Sequence, residues 1–203
     1  MPRQEYLRAS PPMFGSPLVD RLTRVPVWVV PLIYVPAVLA AFASAVGDLR
    51  VWTLVWLAGG YAVWTLTEYW LHRIVFHFEA EQGIGQRVHW IIHGVHHDHP
   101  NDPKRLVMPP AASIPLALIF VAGFHLMLPG SQAWALVAGF LGGYLGYDMM
   151  HYYVHHRRPT GPVGRKLREL HMRHHFQDET RGFGVSAPWW DVVFGTSTRA
   201  PGD

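Results

Sequence analysis

The sequence predicts an all-α integral membrane protein: four transmembrane helices with a cytosolic helical cap holding a histidine-rich dimetal site. Three observations lead there. Half of the 203 residues are hydrophobic and only 15% are charged, where a soluble domain carries about 25% charged residues. Four apolar stretches approach the roughly 20 residues that a helix needs to cross a bilayer. Fourteen histidines accompany them and cysteine is absent. The missing thiols exclude a disulfide framework, a thiolate metal site and a cysteine nucleophile, so any metal is held by nitrogen or oxygen.

Residues 1–24 form the first element, a cytosolic N-terminal arm. Pro2, Pro11, Pro12 and Pro17 interrupt it and it has no apolar core, so it does not read as a signal peptide. The spans follow at about 25–46, 51–71, 109–128 and 132–150. Gly47-Asp48-Leu49-Arg50 separates the first two and Pro129-Gly130-Ser131 the last two, which makes two tight helical hairpins. Pro31 and Pro36 in the first span are tolerated in lipid, where neighbouring helices satisfy the freed backbone groups.

Cytoplasmic flanks of transmembrane helices carry the excess of Lys and Arg. Arg3, Arg8, Arg21 and Arg24 precede the first span, and Arg73, Arg87, Lys104 and Arg105 lie between the second and third. Eight more follow the fourth, leaving Arg50 alone on the other side, a split of sixteen to one. Both termini and the middle segment are therefore expected in the cytosol, in a bacterial inner membrane or the endoplasmic reticulum. The same topology explains the net charge of +3, and no recognition motif accompanies it, so nucleic acid is not an expected partner. Without repeats or a linker, residues 25–203 make one membrane domain, with the cap drawn from 72–108 and 151–203.

The histidines sit at the cytosolic ends of the spans or beyond them: His72 and His77; His89, His93, His96, His97 and His99; His151, His155 and His156; His171, His174 and His175. Only His125 stands alone, inside the third span. At about 100° per residue, the four-residue pairs His93/His97, His151/His155 and His171/His175 each project from one helix face and can chelate. His96 and His174 are turned away from their neighbours, which suits a second metal beside the first. His72 and His77 are five apart and diverge on a regular helix, so either a distortion near Arg73 to Phe76 or a site across the helix end is expected. His89, His99 and His125 read as structural. Imidazole suits Fe, Zn, Cu and Ni. Glu68 and Asp148 are candidates either to fix an imidazole tautomer or to make polar contacts between helices.

EYWLHR with Phe76-His77, then HWIIHGVHHDHP and RLVMPP, then YDMMHYYVHH, then LHMRHH and GFGVSAPWWDVVFGT closely resemble the membrane domain of the fatty acid 2-hydroxylases. These belong to the wider fatty acid hydroxylase and sterol desaturase superfamily. The resemblance runs from about Glu68 to Thr196. It implies two metal ions, functionally iron, although zinc can occupy such sites in a purified protein. One would be held by His72, His77, His93, His97 and His174, the other by His96, His151, His155, His171 and His175, with no catalytic group beyond these ligands. The implied reaction is O2-dependent 2-hydroxylation of a fatty acyl chain, free or in a sphingolipid or other lipid.

Many eukaryotic members carry a fused cytochrome b5 domain, which the 1–24 arm is too short to hold. The chain also has no cysteine for an iron–sulfur cluster and no GxGxxG fingerprint. An external electron donor, cytochrome b5-like or a ferredoxin, is therefore expected, docking on the basic face around Arg157, Arg158, Arg165, Lys166 and Arg168. Sterol or carotenoid oxidation within the superfamily, hydrolytic zinc chemistry and a non-enzymatic membrane metal-binding protein remain the alternatives.

Overall fold

The computed structural model describes residues 1–48, 51–78 and 82–199, and these are helical with no strand among them. The arm contains two short helices, α1 (Arg3–Arg8) and α2 (Pro17–Leu22). The first hairpin pairs α3 (Val29–Ala45) with α4 (Val51–Trp70). A π-helical turn (Leu71–Phe76) then leads to α5 (Gly83–His89), a second π turn (Trp90–Gly94) and α6 (Val95–Asp98). The second hairpin pairs α7 (Pro110–Met127) with α8 (Gly130–His156), and α9 (Pro162–Phe176) and α10 (Trp189–Val193) complete the cap.

The long helix α8 is the axis of the bundle, packed against α3, α4 and α7. Residues 135–141 are buried without interruption, as suits a helix apolar on every side. Glycine sets its approach to α4. A Cβ added at Gly139 would lie 1.9 Å from the Leu57 carbonyl oxygen, and one at Gly60 would lie 2.0 Å from the Leu136 oxygen. The two backbones are therefore in direct contact, the small-residue packing that membrane helices favour. Trp64 fills the next layer, edge-on to Phe140 and Tyr144.

The outer faces of α3, α4 and α7 present Leu39, Leu54 and Ile119 to the surroundings, and Leu126 is 89% exposed. A contiguous apolar surface of this kind needs a nonpolar covering. By length and composition, α7 is the one described helix that suffices to cross a membrane, while α3 is apolar but 17 residues long. Glu68 in α4 and Asp148 in α8, with the tyrosines and glycines around them, lower the apolar character of the other two. At its far end, α8 continues six residues beyond the expected span limit at Met150, to His156, and so carries His151 and His155 out of the bundle into the cap.

The arm is folded back rather than free. Asn101 donates its backbone N–H to Leu7 O, Val25 to Lys104 O, and His99 Nδ1 donates to Tyr6 O. These contacts bury Met13, Asp20 and Val25 against the segment between α6 and α7.

Candidate metal centre

The distortion expected between His72 and His77 is the first π turn. His77 donates its N–H to His72 O, a five-residue step, at 3.1 Å. One extra residue in the turn brings onto one side two positions that a regular helix would separate. A second π turn, unforeseen from sequence, surrounds His93. From the other elements, α6 contributes His96 and His97, the end of α8 contributes His151 and His155, and α9 contributes His171, His174 and His175.

These side chains converge as two groups of five. His72, His77, His93, His97 and His174 offer nitrogens within 4.8 Å of one another, and so do His96, His151, His155, His171 and His175. The groups adjoin, with the His97 and His175 rings stacked at a centroid distance of 4.2 Å. His99 is elsewhere, on Tyr6; His125 lies against Trp134, His89 against Phe78 and His156 against Tyr152.

The hydrogen bonding fits cations at the two foci. His72 Nδ1 donates to Phe183 O and His174 Nδ1 to Arg181 O, each at 2.7 Å. Such bonds fix the tautomer and leave each Nε2 as a lone pair. The Nε2 atoms of His96, His151 and His174 are buried with no hydrogen-bond partner, a state that costs about 1–3 kcal/mol for each group. In the first group His93 Nε2 stands 3.1 Å from both His72 Nε2 and His97 Nε2. In the second, His171 Nε2 lies 2.8 Å from His155 Nε2 and 3.1 Å from His175 Nε2. A cation shared by each five would take up these lone pairs. Burial lowers the basicity of the ten converging histidines, holding His77 at about 3 and His174 at about 4, so at neutral pH they are uncharged and able to ligate.

Neither Glu68 nor Asp148 fixes an imidazole. Glu68 accepts from Ser186 N at 2.7 Å and from the Ser186 hydroxyl, tying α4 to the loop before α10. Asp148 accepts from Tyr144 OH at 3.1 Å and from Met108 N. Backbone carbonyls do the orienting instead, and Asp191 holds the turn that supplies one of them. Its carboxylate accepts from Phe183 N and Gly184 N, each at 2.9 Å, and from Thr196 Oγ1. Sequence reasoning missed Asp191, although the GFGV turn eight residues before it pointed to the place.

Against the histidines lies an apolar cavity of about 420 Å³, reached by His93 of one group and by His96 and His151 of the other. Phe76, Ile92, Met108 and Ala112 also line it. Its size is that of a small-molecule site, commonly ~300–1,000 Å³.

Fold and site together define an all-helical chain, apolar on its outer surface, that could hold two metal ions in imidazole alone at the end of an apolar cavity. The profile of the fatty acid hydroxylase family matches residues 57–196. The chain belongs to that family. It is 39% identical over 198 residues to a dihydroceramide fatty acyl 2-hydroxylase of Arabidopsis thaliana, covering 96% of this chain and 84% of that protein. It is 38% identical over 197 residues to a ceramide very long chain fatty acid hydroxylase of Saccharomyces cerevisiae, covering 95% of this chain and 51% of that one. With human fatty acid 2-hydroxylase the identity is 33% over 210 residues, covering 92% and 56%. A solved structure, full-length Scs7p with only the hydroxylase domain visible, superposes with a TM-score of 0.85 at 38% identity, covering 93% of this chain and 73% of that one.

Proposed function

We propose that the protein hydroxylates carbon 2 of a fatty acyl chain amide-linked in a ceramide-type lipid, as the names of its relatives indicate. The observation that carries this reading is the apolar cavity ending on His93, His96 and His151. A tail in that cavity lies in an apolar environment that repays its transfer from lipid, and the carbons nearest the headgroup reach the histidine layer. The reaction balances as R–H plus O2, two electrons and two protons giving R–OH and water.

Two irons, one in each five-histidine group, would supply the O2 chemistry that side chains cannot. This chain's residues do the rest. The Phe183 and Arg181 carbonyls hold the His72 and His174 rings in their lone-pair orientation, which is how partners beyond the ligands tune a metal site. The apolar walls exclude water from the reacting carbon. The electrons come from an external carrier, docked on the basic outer face of α9, where Arg158, Arg165, Arg168 and Arg173 line a groove. That helix carries His171, His174 and His175 as well, so the groove lies close behind the site.

We further propose that α3, α4, α7 and α8 all cross the membrane, with both termini and the cap in the cytosol. The positive-inside distribution and the exposed apolar belt support this orientation.

Expression in a host that makes no 2-hydroxylated lipids, followed by lipid mass spectrometry, tests the reading. Accumulation of 2-hydroxyacyl lipid is the expected result. An unchanged acyl pool beside a new sterol or carotenoid product would replace it.

A further inference from the structure

The cavity has two unlike sides. One is the histidine layer; the other comes from the arm, through Met13, Phe14, Val19 and Leu22. At six residues α2 is too short to hold itself helical, so its position depends on what it is tied to. Asp20 is the tie. It accepts from Met13 N at 2.6 Å and from Arg105 Nη2 at 2.9 Å, and Arg24 Nη1 lies 2.6 Å from its other oxygen. Arg105 in turn donates to Pro11 O, and Arg24 Nε donates to Ser10 Oγ. Desolvation raises the Asp20 carboxyl, but the Met13 N–H and the two guanidiniums outweigh it and hold the group below its ordinary range.

The pair is inward. Asp20 and Arg105 are 5% and 7% exposed, whereas Val19 and Leu22 are 41% and 61% exposed. The apolar side of α2 therefore faces the cavity and its mouth, opposite Ala111 and Ala112 at the start of α7, which line the same cavity.

We propose that α2 is the specificity-determining wall of the acyl site. Val19 and Leu22 contact the distal part of the tail as it leaves between α2 and α7, and the Asp20–Arg105 pair fixes the distance of this wall from the histidines. The inference rests on the acyl-hydroxylase reading and adds which residues select the chain. A tail that ends near the histidines stops short of Val19 and Leu22, whereas a longer one must pass them. Bulk at position 19 or 22 therefore penalises long chains selectively.

The test uses the metal-loaded full chain with reductant and a graded series of dihydroceramides differing only in acyl length. Leu22→Trp and Val19→Trp, both at half-exposed positions that accept a larger side chain, are expected to lower kcat/KM for the longest chain about tenfold relative to the shortest, chiefly through KM. Leu22→Ala is expected to shift the preference toward longer chains, and metal content per chain is expected to equal the parent's in all three. As a measure independent of turnover, a dihydroceramide with a diazirine far out on its acyl chain is expected to label the segment from Phe14 to Leu22. Length profiles parallel to the parent's, or labelling confined to other segments, would overturn the inference while leaving the hydroxylase reading intact. A parent that hydroxylates no acyl lipid would overturn both.

Discussion

His96 and His97 are neighbours in sequence and belong to different groups of five, because adjacent helical positions point about 100° apart. His97→Ala is therefore expected to weaken one metal site and His96→Ala the other, while His125→Ala, against Trp134 and far from both, leaves two ions bound. Metal analysis of the purified variants checks this. Loss of the same ion in both, or full occupancy in both, would contradict the partition. The pairs His151/His155 and His171/His175 were legible because regular helical spacing alone puts each pair on one face. The five-residue pair His72 and His77 showed only that something had to distort, and the π turn is what does so. What orients the rings was not legible. Arg181 and Phe183 act through carbonyl oxygens that every residue possesses, so no side-chain pattern announces them, and the two carboxylates that seemed suited to the task serve loop contacts instead.

Each hairpin of the bundle turns within a few residues, so the C-terminal ends of α4 and α8 and the start of α7 share one side of the molecule, and the histidines gather there. If all four long helices cross the membrane, cysteines placed singly at Gly47 and Gln132 are labelled from the side opposite to cysteines at Ser16 and Thr160. Those positions are exposed, so reagent access is decided by the membrane. Labelling of all four from one side would contradict the arrangement. At this scale the apolar runs located the long helices to within a few residues, because composition and length are local properties. The overrun of α8 to His156 and the docking of the arm were hidden. The first has polar, histidine-rich sequence that reads as the end of a span, and the second depends on pairing Asp20 with Arg105, 85 residues away.

Over the whole molecule, an apolar outer surface, an apolar cavity and ten buried or half-buried histidines lie between the surroundings and the candidate metal sites. Membership of the fatty acid hydroxylase family gives that sequence its chemical meaning. Replacing C–H by C–OH needs an oxidant and a source of two electrons. In the proposed reaction O2 is the first, and the chain has neither thiols for a cluster nor a dinucleotide fingerprint for the second. The most direct measurement is turnover of the iron-loaded protein with an acyl lipid deuterated at carbon 2, under isotopically heavy oxygen gas, with and without an external electron donor. The account predicts loss of one deuterium and gain of one heavy oxygen at carbon 2, only when the donor is present. Product oxygen drawn from water, or turnover without any reductant, would contradict it.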